Sequence, residues 1–84
     1  MQQPEEGLLE RIKVDPDVLV GKPTIRGLRI SVEQILRALS AGIEKDELLA
    51  DYPELEDTDI RAVLAYAAER VAEEQVFPIR ETGS

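Results

Sequence analysis

Hydrophobic residues between positions 31 and 75 recur at intervals of three or four, the spacing that places side chains along one face of an α-helix. Helix-ending residues divide this region: Gly42 can take the left-handed conformation found after a helix, and Pro53 lacks a backbone N–H. Three helices are therefore predicted, at about 32–41, 45–52 and 57–75. The fold class is mainly α.

Ser31 is predicted to cap the first of these helices. Its hydroxyl can accept a hydrogen bond from a backbone N–H of the first turn, while the side chain of Gln34 reaches back to the N–H of Ser31. Glu44 and Glu56 are predicted caps of the second and third helices. Each directly follows a hydrophobic residue, and a second hydrophobic residue lies four positions after the glutamate, so the two apolar side chains can pack together across the cap. The apolar stripe of the first helix consists of Val32, Ile35, Leu36 and Leu39.

The segment from 12 to 30 alternates apolar and polar residues over short stretches, which predicts extended structure. Ile12-Lys13-Val14 is one predicted strand. Two further extended pieces, at 24–26 and 28–30, are expected to meet at Gly27, because glycine adopts a positive φ readily. This arm is predicted to form a short, irregular β element before the helices.

The chain ends are expected to lie outside the folded domain. Residues 1–11 contain a proline and several acidic residues and predict a flexible N-terminus. Residues 76–84 predict a C-terminal tail that begins with an apolar stretch. A single helical domain is therefore expected over 12–75, with the arm at 12–30. Three short helices joined by tight connections resemble a trihelical, helix-turn-helix-like bundle.

The chain has 84 residues, enough for one hydrophobic core. Domains of this size often need extra stabilisation, and a sequence without cysteine cannot obtain it from a disulfide. A homodimer is therefore expected. The lack of cysteine suits the cytoplasm, and no apolar stretch reaches the roughly 18 residues of a membrane span.

The net charge of −8 is concentrated in one half of the chain. Residues 1–43 carry six basic and six acidic residues, whereas residues 44–84 carry four basic and twelve acidic ones. Unaided DNA binding depends largely on neutralising phosphates, which an acidic surface disfavours. A protein partner suits the C-terminal half better.

The sequence does not predict an enzyme. It contains neither histidine nor cysteine, which removes the commonest general base, the commonest metal ligands and the strongest nucleophile. The acidic residues are interpreted as helix caps and solvating groups, in preference to a metal site; the densest group is Glu54, Glu56, Asp57 and Asp59. No catalytic residue, metal or cofactor is predicted.

The most distinctive motif runs from residue 21 to residue 32, with the sequence GKPTIRGLRISV. Its fixed points are Gly21, Pro23, Gly27 and Ser31, and further matching blocks are Ala41-Gly42, Tyr52-Pro53-Glu54-Leu55 and Ala65-Tyr66-Ala67. In this order the blocks resemble the family known as domain of unknown function 433, over residues 12–68. Leu28 departs from the pattern, which usually has threonine there.

The resemblance implies a homeodomain-like trihelical fold. For some members of the family it also implies a VapB-type antitoxin, encoded beside a PIN-like ribonuclease toxin in a prokaryote, that neutralises the toxin and represses its own operon. Likeness of fold does not by itself establish a common function.

Four basic residues in and after the motif are candidate DNA contacts: Lys22, Arg26, Arg29 and Arg37. In one interpretation they bind phosphates and position the helices in a groove. In the other they pair with acidic side chains of the same chain or of a partner subunit. The sequence leaves both open.

If the second and third helices form a helix-turn-helix, Thr58 and Arg61 would point toward the bases. The acidic residues at the start of the same helix disfavour that approach. An alternative for Arg61 is an ion pair with Asp57, four positions earlier. Tyr52 and Tyr66 are candidate partner-binding anchors or, alternatively, core residues.

The tail supplies the candidate toxin contacts. Phe77 and Ile79 could insert into a groove of the toxin, and Arg80 could reach an acidic ribonuclease site. Alternatively, Phe77 closes the bundle or the tail joins two subunits. The leading hypothesis is an antitoxin with possible operator binding; the alternatives are a DNA-binding regulator without a toxin and a small protein-interaction module.

Overall fold

The computed structural model describes residues 4–73. Within this range the chain forms four α-helices and a two-stranded antiparallel sheet, so the mainly helical class predicted from the sequence is confirmed. The helices are α1, Pro4–Leu9; α2, Val32–Ser40; α3, Lys45–Asp51; and α4, Asp57–Glu73. The strands are β1, Ile12–Val14, and β2, Pro23–Ile25, and a single 3₁₀ turn lies at Leu19–Gly21.

Helix α1 was not predicted, and it lies within residues 1–11, for which the sequence suggested a flexible terminus. Residues 4–9 form a helix that packs against α4, with the side chain of Leu8 buried. Proline at the first position of α1 is compatible with a helix, because the N–H it lacks would have no intrahelical partner there. A single buried leucine was too weak a pattern to predict this helix.

The arm forms a β-hairpin. Ile12 pairs with Ile25 and Lys13 with Thr24, in antiparallel register. The chain then turns at Arg26 and Gly27, whose φ angles are 52° and 78°. Residues 28–30, which were expected to be extended, form no strand; an isolated bridge between Thr24 and Ser31 follows before α2 begins.

The ends of the helices agree with the chemistry predicted for them. Ser31 and Gln34 form the expected capping box: the N–H of Gln34 donates to the Ser31 hydroxyl at 2.9 Å, and the Gln34 side chain accepts from the Ser31 N–H. Gly42 has a φ of 93° just after α2, and α3 ends immediately before Tyr52 and Pro53. These short elements are therefore fixed locally.

The hydrophobic core lies where the hairpin, α2, α3 and α4 meet. Within the described residues it comprises Ile25, Ile30, Val32, Ile35, Leu48, Leu55, Ile60 and Val63. Only the first half of α4 contributes to it. Leu64, near the middle of α4, and Val71, in its last turn, are 50% and 62% exposed, although they continue the apolar stripe. Among residues 4–73, no helix is long and apolar enough to cross a membrane.

Candidate functional site

Two of the predicted DNA contacts share one carboxylate. Lys22 donates to Glu33 at 3.1 Å, and Arg37 donates to the other oxygen of Glu33 at 2.9 Å. Hydrogen bonds from Arg37 and Lys22 hold the pKa of Glu33 below its ordinary value. All three side chains are exposed, so these pairs are weak and can be exchanged for other partners.

Arg26 lies in a different setting. Its guanidinium binds Asp59 of α4 through two bonds, from Nε at 3.1 Å and from Nη2 at 2.8 Å. Nη2 also donates to the backbone carbonyl of Glu54 at 2.7 Å. The bond to Asp59 raises the pKa of Arg26 above its ordinary value. This geometry favours the interpretation in which the cations of the arm pair internally.

Asp59 is fully buried, with 0% of its side chain exposed. Its carboxylate accepts four hydrogen bonds: the two from Arg26, one from Arg11 at 2.8 Å and one from the backbone N–H of Glu56 at 2.8 Å. Burial alone would raise the pKa of Asp59. The bonds from Arg26, Glu56 and Arg11 outweigh burial and hold that pKa below its ordinary value.

Arg11 completes the network and was not singled out in the sequence. Besides Asp59 it binds Glu56 at 2.9 Å, and these bonds raise the pKa of Arg11. The backbone N–H of Arg26 donates to the carbonyl of Arg11, which joins the two arginines. The network, defined as Arg11, Arg26, Glu56 and Asp59, ties the arm to the start of α4.

One signal for Asp59 was present in the sequence. A carboxylate three positions after a helix cap can reach back to the backbone N–H of the cap, and Asp59 stands in that relation to Glu56. The expectation that the acidic residues lie at helix starts and on solvent faces is correct for Glu54, Glu56 and Asp57, but Asp59 is buried. Within residues 4–73 no cluster of acidic side chains is close enough to hold a metal.

The remaining predicted DNA contacts lie on the surface. Arg29 and Arg61 are exposed and form no ion pair with any other described residue, and Thr58 is half-buried. Asp57, the alternative partner for Arg61, pairs instead with Lys45 of α3 at 2.6 Å. Of the six candidates, Arg29 and Arg61 thus have their guanidinium groups available to a ligand.

The two tyrosines differ in setting. Tyr52 packs against the core, and its hydroxyl accepts a hydrogen bond from Gln34 at 2.9 Å. Tyr66 also contacts the core, but it faces a groove between α2 and α4. Tyr52 is therefore a packing residue in this structure, whereas Tyr66 combines packing with a place on an open surface.

The groove, called here the α2–α4 groove, has a volume of about 350 Å³. Its apolar lining consists of Pro23, Val32, Leu36, Tyr66, Ala67 and Val71. Three exposed charged side chains also line it: Glu33 and Arg37 from α2, and Arg70 from α4. The groove lies where the apolar face of α4 continues beyond the core. Phe77, Ile79 and Arg80, the candidate toxin contacts, lie outside the described residues.

Proteins similar to this chain in sequence and in structure are known. A protein of Sinorhizobium fredii (strain NBRC 101917 / NGR234), described as uncharacterized protein y4eO, is 33% identical over 58 residues. The match covers 69% of this chain and 26% of that protein, so the chain spans about a quarter of the length of this relative.

A crystal structure of a DUF433 member protein from Anabaena variabilis ATCC 29413 is similar throughout most of the fold. It is 31% identical in sequence and superposes with a TM-score of 0.71, over 81% of this chain and 67% of that one. The sequence profile of the family described as Protein of unknown function (DUF433) matches residues 12–67. The match includes the whole motif of residues 21–32 and the Asp59 position, and the chain accordingly belongs to the DUF433 family.

Proposed function

We propose that this protein is a binding protein without catalytic activity of its own, the antitoxin of a type II toxin–antitoxin module. Its target is a PIN-like ribonuclease toxin, as the family resemblance implies. The observation that carries the proposal is the α2–α4 groove, which has an apolar lining and a volume of about 350 Å³ and lies beside the exposed half of α4. Apolar grooves lined by helices are common docking sites for protein partners.

The distribution of charge supports a protein partner over a nucleic acid. Arg26 is bound to Asp59, while Lys22 and Arg37 both bind Glu33, so half of the six candidate DNA contacts already have internal partners. The net charge of −8 repels phosphates at long range. Apolar contact in the groove does not suffer from this repulsion.

In the proposal, Phe77, Ile79 and Arg80 extend the toxin-binding surface. They follow α4 in the sequence, and the last turns of α4 supply one wall of the groove. A homodimer in the cytoplasm of a prokaryote is the proposed working form, because a small domain without disulfides gains stability by association.

Inhibition of the protein encoded in the adjacent reading frame tests the proposal. The purified full-length chain should suppress cleavage of a fluorogenic RNA by that protein. Val71→Asp places a charge in the groove and should weaken inhibition by roughly 30-fold, the equivalent of about 2 kcal/mol for a central interface residue. Removal of residues 76–84 should weaken it as well.

Val20→Asp is the matched control. Val20 is almost fully exposed in the loop before β2, outside the groove, and aspartate tolerates its positive φ better than valine does. Inhibition should therefore be unchanged. The proposal fails if the neighbouring protein does not cleave RNA, or if Val71→Asp and Val20→Asp inhibit as well as the unaltered chain.

Repression of its own operon is a second candidate function, favoured by Arg29 and Arg61, which are exposed and form no ion pair with other residues of 4–73. It requires a homeodomain-like arrangement in which α3 and α4 act as a helix-turn-helix and Thr58 approaches the bases. Asp57 and Glu56 at the start of α4 oppose such an approach electrostatically. We therefore propose backbone contacts by the two arginines as the main source of any DNA affinity.

Binding to a fragment of the upstream promoter, measured against salt concentration, tests this second function. Arg29→Ala and Arg61→Ala should each reduce the slope of log K against log salt by about 1, the loss of one phosphate contact. Lys13→Ala, at an exposed cation on β1, is the control and should leave the slope unchanged. If the unaltered chain and the three variants all give the same slope, Arg29 and Arg61 do not contact the DNA.

A further inference from the structure

We propose that the occupant of the α2–α4 groove is an amphipathic helix of the partner protein, with an apolar ridge flanked by carboxylates. The inference rests on the proposed function and specifies the chemistry of the partner. It follows from two properties of the groove: an apolar floor, and an arginine on each of its two walls. A helix fits a groove between two helices by presenting apolar residues at positions i, i+3, i+4 and i+7.

The floor requires an apolar ligand. Val32 and Leu36 of α2 face Tyr66, Ala67 and Val71 of α4 across it. Val71 is 62% exposed, so a ligand that covers it removes most of its side chain from water. Burial of this apolar surface favours association. The alanine at position 67 leaves space for a side chain from the partner.

The walls specify the charge of the ligand. Arg37 and Glu33 stand on α2 and Arg70 on α4, and all three line the same groove, so the two arginines leave its walls with a surplus of positive charge. Each is held by a carboxylate of its own helix: Arg37 by Glu33 at 2.9 Å and Arg70 by Glu73 at 3.2 Å. Both pairs are exposed, and exposed pairs of this kind contribute little to stability.

A carboxylate from the partner can therefore bind either arginine at little cost. Guanidinium groups bind carboxylates through two parallel hydrogen bonds, and such bonds are stronger where the neighbouring surface is apolar and water is excluded. With an arginine on each wall, carboxylates on both flanks of an apolar ridge can be bound at once. A basic ridge would instead face both guanidinium groups.

The charge of the whole chain predicts the opposite preference. A net charge of −8 attracts basic ligands at long range. This attraction is screened beyond about 8 Å at physiological ionic strength, so contacts inside the groove decide selectivity there. Acidic and basic versions of one peptide consequently distinguish binding in the groove from general electrostatic attraction.

The probes are two synthetic peptides of equal length with leucine at helical i, i+3, i+4 and i+7 positions, flanked by glutamate in one and lysine in the other. Each is titrated into the isotope-labelled full chain at about 0.15 M salt, and NMR shifts are followed at Leu36, Tyr66 and Val71. The glutamate peptide should shift these resonances and bind at least about tenfold more tightly than the lysine peptide.

Charge reversal in the groove should reverse the preference. Arg37→Glu and Arg70→Glu should each lower the affinity for the glutamate peptide by about tenfold and raise the affinity for the lysine peptide. Lys13→Glu makes the same change of charge at an exposed position on β1, outside the groove, and should leave the preference for the glutamate peptide intact.

Four results would overturn the proposal: tighter binding of the lysine peptide in the groove, no shift with either peptide, groove resonances that depend on protein concentration, or groove resonances altered by removal of residues 74–84. The last two would identify a second copy or the chain's own C-terminal segment as the occupant. No ribonuclease takes part in this experiment. If the chain prefers the glutamate peptide but does not inhibit the ribonuclease, the proposal about the groove is supported and the proposal that the protein is an antitoxin is rejected.

Discussion

Asp59→Ala is expected to lower the free energy of unfolding by about 3–5 kcal/mol, the cost of removing one partner from a buried ion-pair network. The substitution removes the acceptor of four hydrogen bonds. The side chains of Arg11 and Arg26, which are 29% and 34% exposed, would lose the carboxylate that they share and would repel each other. A domain of this size has a total stability of roughly 5–10 kcal/mol.

Urea unfolding followed by circular dichroism measures this loss, and Asp57→Ala provides the comparison. Asp57 lies two residues earlier in the same helical turn and also forms an ion pair, but both it and Lys45 are about half exposed. Its replacement should change stability by less than about 1 kcal/mol. Similar losses for the two variants would show that the network around Asp59 contributes no more than a surface pair.

An Asp59→Ala chain that is unfolded in the absence of urea would give no unfolding curve. The arginine side of the network then provides the measurement. Arg11→Ala leaves Arg26 bound to Asp59 and should cost less than Asp59→Ala, because the carboxylate keeps three of its four hydrogen bonds. A chain that tolerates Asp59→Ala but unfolds with Arg11→Ala would contradict the central place assigned to the carboxylate.

The network has a consequence for how the arm can function. Arg26 has a φ of 52°, which is uncommon for a residue other than glycine, and its bonds to Asp59 and Glu54 hold it there. Through Arg26 the arm is consequently bound to the helical part of the domain, and the guanidinium of Arg26 already has partners there. This is the main difference between the sequence interpretation, which left the role of the arm's cations open, and the structure.

The helices could be predicted because their signals are local. The spacing of Ile60 and Val63 in α4, the capping box at Ser31 and the stop at Gly42 each involve residues within a few positions of one another. Local hydrogen bonds and one apolar face specify such elements almost independently of the rest of the chain. Their bounds in the structure differ little from those expected.

The network could not be predicted in the same way, because its members are far apart in the sequence. Arg11 and Asp59 are separated by 48 positions, and Arg26 and Asp59 by 33. The position of Asp59 three residues after the cap Glu56 indicates a bond to the Glu56 backbone N–H, but it does not indicate that the side chain is buried. The left-handed conformations of Leu19 and Val20 also have no sequence signal, since branched and bulky residues rarely adopt a positive φ.

The groove falls between these two cases. The sequence shows that the apolar stripe of α4 extends to Val71, and this part of the interpretation follows from periodicity alone. The sequence does not show that the rest of the fold buries only the first half of this stripe, where Ile60 and Val63 lie. That limit depends on the contacts that α4 makes with the other elements of the fold, which periodicity does not specify.

The second large effect is expected in acid. Asp59 has a pKa below its ordinary value in the folded chain, because the bonds from Arg26, Glu56 and Arg11 outweigh the effect of burial. The unfolded chain takes up a proton at this residue near pH 3.9, before the folded chain does. Stability from Asp59 is therefore fully present at neutral pH and is lost as the pH falls through the lower, folded-state pKa.

Urea midpoints at pH 7, 5, 4 and 3 should accordingly be steady down to about pH 5 and then fall, with Asp59 contributing up to about 1.4 kcal/mol per pH unit. Glu33, whose pKa is lowered by Arg37 and Lys22, adds to the same trend from an exposed site. Comparison with Glu33→Gln separates the two carboxylates, since that variant should retain most of the acid sensitivity.

The carboxyl carbon of Asp59, followed by NMR in the unaltered chain, tests the cause directly. It should keep the chemical shift of an ionised group below the pH at which an ordinary aspartate is half-protonated, until the chain unfolds. Titration at or above the ordinary pKa would mean that burial dominates. The two arginines would then hold the carboxylate less firmly than the bond lengths of 2.8–3.1 Å indicate, and the large loss expected for Asp59→Ala would not follow either.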